Sequence, residues 1–309
     1  MTGASASVST RGRWRVSDQT KWAFIFLLPW IIGFVIFTAG PMIVTLILSF
    51  TKYNVIRPPS FIGLDNYEQL LGDRRIPLAL TNTAFYAILH VPGVIIISLA
   101  LAMLLLRVGR AAGFFRTVFY LPSVTPAVAI GTLFLLLLAG NGLVNQALGL
   151  IGIDGPNWLT DPDWVKPGIV LMSLWTLGST VVIYFAALRN VPLELYEAAR
   201  IDGAGAWQSF RNITLPFISG AIFFTVIVNT IAALQIFAEV FTMFFGSRSG
   251  PAQSSALFYT IYLFQKAFQD LNFGYASAMA WLLFAIILVI TLIQVRVSRR
   301  FVFYAGDEK

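Results

Sequence analysis

Ser173, Thr176, Thr180 and Tyr184 are separated by three, four and four residues, the spacing that lines hydroxyls along one face of a helix. Such a stripe exchanges hydrogen bonds with a neutral polyol without binding it too tightly for release, and the indole of Trp175 beside it suits stacking on a sugar face. A second polar sector, Thr225, Asn229, Gln235 and Glu239, is broader but follows the same helical logic. Both sectors also admit a plainer reading, hydrogen bonds between packed helices in an apolar medium.

Glu239 carries the sharpest question, because it is the only acid inside any long apolar stretch of the chain. A carboxylate near a bilayer centre costs about 2.5–3.5 kcal/mol on insertion scales, so it is expected to face a cavity or a partner. Its position near the outer end of its stretch also lets it snorkel, and the two roles open to it are solute contact and locking of a helix. His90, in the setting LHVPG, is expected to satisfy a carbonyl freed by Pro92 rather than to relay protons.

Several chemistries are excluded outright. The chain has no cysteine and one histidine, which removes disulfides, thiol nucleophiles and histidine-cluster metal sites. It contains no GxSxG or HExxH, and no GxxxxGK[ST] phosphate loop, so any ATP-driven work must be powered by another chain. No cofactor is expected here; ATP and Mg would bind to partner subunits.

The elements that position these groups follow from composition. Of 309 residues 58% are hydrophobic and 11% charged, with a mean hydropathy of +0.79, a balance foreign to a soluble globule. Stretches able to cross a membrane, which takes about 20 apolar residues, run from Trp22 to Phe50, Leu80 to Leu106, Thr117 to Leu138, Gly168 to Leu188, Phe217 to Phe245 and Tyr275 to Val295. The expected fold is therefore all-α and polytopic, with six transmembrane helices. Pro29, Pro41, Pro92, Pro122 and Pro126 lie in or beside these stretches and make kinks possible. Residues 1–21 read as a disordered basic arm, 22–303 as the membrane domain and 304–309 as a tail.

Between the fourth and fifth stretches lies EAARIDGAGAWQSFRNITLP, Glu197 to Pro216. Asn190 is expected to cap a helix with Pro192 in its first turn, and Leu193 to Ile201 contains no breaker. Gly203 and Gly205 permit positive φ and a sharp bend, after which Ala206 to Ile213 forms a second helix ending before Pro216. Ala198 and Ala199 keep one surface low, with Glu197, Arg200 and Asp202 around it, a shape suited to docking another protein.

Charge sets the orientation. Fourteen Lys and Arg residues fall on the side of both termini and the Glu197 loop, against seven on the other side, which places that loop in the cytoplasm, N-in and C-in. The net charge of +7 sits at the ends of apolar stretches rather than on one patch, so no nucleic acid is expected. On the outer side, Trp158 and Trp164 beside Asp154, Asp161 and Asp163 suit an interfacial shelf or contact with an external partner.

The pattern Glu197-Ala198-Ala199, Gly203, Ile213-x-Leu215-Pro216 resembles the EAA loop of permease subunits of binding-protein-dependent ABC importers. Similarity to the carbohydrate-uptake branch extends from Lys21 to Phe303 through LPW (28–30), FIGLDNY (61–67), TNT (81–83), FRTVFYLPSVTP (115–126), PNWL (156–159) and GYASAMAW (274–281). The resemblance implies a sugar importer subunit in a bacterial-type inner membrane, paired with a second permease as a heterodimer, two ATPases and an extracytoplasmic solute-binding protein. It implies that Glu197, Ala198, Ala199, Gly203, Leu215 and Pro216 couple to the ATPase, while the polar sectors belong to the solute path. The alternatives are a membrane-embedded enzyme, for which the acids, histidines and cysteines are too few, and a self-sufficient secondary transporter, which leaves the EAA element unexplained.

Overall fold

The computed structural model describes residues 18–246 and 252–299. The expected basic arm lies outside them as far as residue 17, and so does the tail from 304. The described residues are mainly helical. One segment comprises α1 (Asp18–Phe34), a π-turn and α2 (Gly40–Leu48), and a short hairpin follows, β1 (Thr51–Lys52) and β2 (Ser60–Phe61), with Thr51 opposite Phe61. Next come α3 (Asp65–Gly72), α4 (Arg75–Arg107), α5 (Ala112–Tyr120), α6 (Ala127–Leu137), α7 (Leu143–Leu150), α8 (Pro162–Leu174) and α9 (Gly178–Arg189). The remainder is α10 (Leu193–Ile201), α11 (Ala206–Ser209), α12 (Leu215–Phe217), α13 (Ser219–Leu234), α14 (Ala238–Phe244), α15 (Ala252–Ser255), α16 (Tyr259–Phe264) and α17 (Phe273–Ser298).

Four helical stretches are long and apolar enough to cross a membrane without a sharp bend: Trp22–Leu48, Arg75–Arg107, Ser219–Phe244 and Phe273–Ser298. The third and fourth expected spans are bent instead. The segment Gly109–Val124 meets α6 at 99°, and α8 meets α9 at 50°. Proline explains the first break: Thr125 is extended ahead of Pro126, as a residue preceding proline prefers, and α6 restarts at Ala127. Glycine permits the second, because a Cβ on Gly178 would stand 1.9 Å from the Phe119 carbonyl oxygen. Only glycine lets α5 and α9 approach so closely.

At 33 residues α4 is the mast of the fold. At 1.5 Å per residue it reaches roughly 50 Å, longer than the ~30 Å hydrocarbon core, so its charged ends stand clear of the apolar layer. Its buried face packs on α8, α9, α13 and α16. One apolar core gathers around Tyr86, Phe134, Met172, Met243 and Tyr259, and a second around Leu105, Val181, Tyr184, Phe185 and Ile218. The stretch Trp22–Leu48, by contrast, turns nearly all its apolar surface outward.

Polar pins hold helix ends and loops together. Asn82 Nδ2 donates to the carbonyls of Ser254 and Leu257 at 2.9 and 3.1 Å, and Thr83 Oγ1 accepts from the Tyr259 amide at 3.0 Å. Asn66 Nδ2 likewise donates to the carbonyls of Ser49 and Thr51. Asp73 joins three elements: its carboxylate accepts from the Tyr262 hydroxyl, from the Tyr275 hydroxyl at 2.8 Å and from the Arg75 amide at 2.9 Å. Burial alone would raise its pKa, but those donors and the charge of Lys266 outweigh burial and hold the carboxyl below its ordinary 3.8. Trp158 is buried, packs edge-on to Trp164 and donates to Asn145 Oδ1 at 2.7 Å, while Asp161 caps α8.

Candidate solute cavity and docking loop

Three interruptions in the helices converge on one cavity of about 660 Å³. The α5–α6 break contributes Tyr120, Ser123 and Thr125, the α8–α9 break contributes Thr176 and Leu177, and the α13–α14 break contributes Gln235, Ile236 and Phe237. Irregular backbone within a membrane domain is tolerated where it is enclosed by protein or lines a cavity. The α13–α14 interruption has no proline or glycine to announce it. Its exposed carbonyl at Ile236 is met by the Thr260 hydroxyl of the loop-side helix α16.

Of the polar sectors read from the sequence, Ser173, Thr176, Thr180, Asn229, Gln235 and Glu239 line this space. Trp175 and Tyr184 are placed elsewhere. Trp175 is half-exposed and meets Phe134 edge-on, as its place on the opposite helix face from Ser173 dictates. Tyr184 is fully buried in the second core and its hydroxyl lies 2.5 Å from Thr225 Oγ1, so this member of the stripe bridges two helices. The hydroxyl pattern therefore serves the cavity at Ser173, Thr176 and Thr180 and interhelical bonding at Tyr184.

The cavity wall also holds groups that helical spacing did not single out: Tyr86, His90, Tyr120, Ser123, Thr125 and Ser179. His90 differs from expectation. Its Nδ1 meets Ser173 Oγ at 2.8 Å rather than a freed carbonyl, and its ring stacks on Tyr86 with centroids 5.0 Å apart. The i, i+4 spacing of Tyr86 and His90 is the signal by which the sequence reveals this pair.

Glu239 is half-buried in the first turn of α14. Its backbone is held tightly by α6, since a Cβ on Gly131 would come within 2.8 Å of the Glu239 carbonyl oxygen. Among the described residues its carboxylate has no hydrogen-bond or ion-pair partner, and no Lys or Arg lines the cavity with it.

At the other end of α9, α10 spans Leu193–Ile201, with Pro192 at its N-cap. Asn190 instead ends α9 as its C-cap. Gly203 has φ +79°, the Gly203 amide donates to Arg200 O and the Ala204 amide to Ala199 O at 2.8 Å, a complete Schellman ending. Gly205 does not take positive φ; it lies at −73° and its amide donates to Gln208 Oε1. The second helix is short, Ala206–Ser209, and runs through a π-turn over Phe210–Thr214 into α12, so Pro216 sits inside the first turn of the next helix rather than after an end. Tyr196 ties the two arms through Thr214 at 2.8 Å. No residue of α10 is buried, Ile201 is 87% exposed and Trp207 70%. The loop is thus closely terminated and leaves bulky apolar groups in the open.

Residues 94–303 match the family model described as binding-protein-dependent transport system inner membrane component. The chain belongs to this family. Along its whole length this permease is 36% identical to the probable ABC transporter permease protein YesP of Bacillus subtilis (strain 168), with 100% of each chain covered. It is 34% identical to the lactose transport system permease protein LacF of Rhizobium radiobacter, over 98% of this chain and 99% of that one. Its fold is similar to that of a bacterial ABC transporter involved in the import of the acidic polysaccharide alginate, with a TM-score of 0.79 and 27% identity over 92% of this chain and 96% of the other. The permease is thus an integral membrane transport component and not an enzyme.

Proposed function

We propose that this permease forms half of the translocation path of an ATP-driven importer for a sugar or sugar-like solute in the cell (inner) membrane. The observation that carries the reading is the 660 Å³ cavity walled by Ser, Thr, Tyr, Asn and Gln side chains at three helix interruptions. Hydroxyls and amides donate and accept in turn, as a polyol requires. Lactose transport by a relative of equal length supports the same substrate class.

In this reading six spans cross the bilayer, counting each bent pair as one, with both termini and α10 in the cytoplasm as the Lys and Arg distribution favours. A second permease completes the path, a solute-binding protein delivers cargo outside, and two ATPases sit beneath. Glu197, Ala198, Ala199 and Gly203 form the gripped helix and its bend, and Leu215 and Pro216 pass its movement to α13. ATP-driven closure of the ATPases then rocks α10 and alternates the cavity between its two openings.

The test is uptake by the complete importer reconstituted with its receptor, using labelled neutral oligosaccharides, amino acids and metal ions. ATP-dependent accumulation of a sugar, lost on Glu197→Lys without loss of assembly, is the expected result. Capture of amino acids or metal ions alone would falsify the sugar assignment.

A further inference from the structure

We propose that Glu239 gives the cavity a charge filter that admits neutral, hydroxyl-rich solutes and disfavours anionic ones, such as sugars bearing carboxylate or phosphate groups. The proposal rests on the reading of this cavity as the solute path. The other polar groups on the wall are hydroxyls, amides and the imidazole of His90, and no lysine or arginine among the described residues stands there to neutralise the carboxylate. Among the described residues Glu239 has no hydrogen-bond or ion-pair partner, and it stands on the cavity wall, so its field acts on the space.

Position reinforces the effect. The backbone of Glu239 is wedged against Gly131, so the carboxylate cannot withdraw by a shift of α14. Low-dielectric walls concentrate the field of a lone charge within a cleft and raise the local concentration of opposite charge while lowering that of like charge. A carboxylate is also an acceptor only, able to accept hydrogen bonds from neighbouring hydroxyls of a polyol but repelled by an acidic group. A related fold serves import of an acidic polysaccharide, so the sign of this selection belongs to the side chains and not to the bundle.

Absence of cysteine from the chain makes a direct measurement possible. Ser179 is exposed and lines the cavity, so Ser179→Cys introduces a single thiol there. In the complete importer, reaction of this chain is followed with a trimethylammonium-ethyl and a sulfonatoethyl methanethiosulfonate, each rate normalised to a free thiol. Measurements are made at rest and with the ATPases trapped closed. The expected cation-to-anion ratio is about tenfold or more. Glu239→Gln brings it towards unity, whereas Glu68→Gln, which removes an exposed charge from α3, leaves it unchanged. A ratio near unity with Glu239 present, or one indifferent to Glu239→Gln, overturns the filter and leaves the path intact. Failure of both reagents to reach the thiol in either state overturns the path and the filter together. Sugar uptake that fails while the ratio behaves as expected overturns only the choice of cargo.

Discussion

The imidazole Nδ1 of His90 lies 2.8 Å from Ser173 Oγ, and that hydroxyl gives its own proton to the Val170 carbonyl, also at 2.8 Å. A hydroxyl has one proton, so Ser173 accepts from Nδ1–H and the acceptor lone pair of His90 resides on Nε2. Stacking on Tyr86 then fixes the ring plane at the cavity wall. Ser173 is on this account a positioning residue for His90.

Removing the serine hydroxyl should therefore act through the histidine. Ser173→Ala is expected to lower initial uptake about threefold to tenfold, the worth of one neutral hydrogen bond. His90→Ala should cost more, and the double variant should be no worse than His90→Ala alone, because the two act as one unit. Initial-rate uptake at matched membrane expression decides it; additive losses would mean that Ser173 works independently.

The two glycines between α10 and α11 should separate cleanly. Gly203 holds φ +79°, although nothing lies within 4 Å of the Cβ it lacks, so the cost of Gly203→Ala is conformational and about 1–2 kcal/mol. It should loosen the Schellman ending of α10 and reduce receptor-stimulated ATP hydrolysis. Gly205 at φ −73° has ordinary geometry, and Gly205→Ala should stay within about 0.5 kcal/mol and keep stimulation. Equal loss from both variants would point to close packing at the ATPase surface instead of backbone angle.

The contrast between these glycines shows what the sequence carried. Both read as positive-φ positions, and only the helix ending, with its Ala204 to Ala199 bond, selects Gly203. The bounds of α10, Leu193–Ile201, follow from the lack of breakers, and the cavity-facing hydroxyls of α8 and α9 follow from their spacing. What periodicity could not supply was the geometry of the bends. A straight helix would have carried the stripe on to Tyr184, whereas the 50° turn beside Gly178 leaves Tyr184 off the cavity wall; Trp175 falls on the opposite helix face from Ser173 whether or not the helix bends. The α13–α14 interruption, with no proline or glycine, is stabilised by Thr260 from α16, a tertiary contact that no local pattern encodes. Asn66 and Asn82, noticed only as parts of recurring strings, proved to be the donors that pin loop carbonyls.

Asp73 gives a pH dependence with a definite sign. Although burial opposes it, the Tyr262 hydroxyl, the Arg75 amide and the Tyr275 hydroxyl hold its carboxyl below the ordinary value in the folded protein. A depressed folded pKa contributes stability fully above the unfolded pKa of about 3.9, and that contribution is lost as pH falls through the folded value. Thermal unfolding of the permease complex in nanodiscs should show the wild type losing stability below about pH 4. Asp73→Asn should be weaker at neutral pH by about 1–3 kcal/mol, with the difference shrinking in acid. A gap that stays constant down to pH 3 would place the effect in packing, not in charge.

Close helix approach should be the least forgiving feature of the site. Gly178 faces the Phe119 carbonyl at 1.9 Å from its missing Cβ, with the Tyr120 Cα at 2.8 Å; the clash is with backbone, so no side-chain rotation relieves it. Gly178→Ala must separate α5 from α9 and draw Tyr120 from the cavity, at a cost of about 3 kcal/mol. Gly131→Ala meets the Glu239 carbonyl oxygen at 2.8 Å and the Thr242 Cβ at 3.0 Å, overlaps milder than the one at Gly178. It should destabilise less, by about 1–2 kcal/mol, yet shift Glu239 relative to the cavity. Thermal unfolding ranks the two variants, and the cation-to-anion ratio at a Ser179→Cys thiol reads the displacement. Gly131→Ala should change that ratio while Glu239 itself remains, an outcome that a purely global loss of stability does not produce.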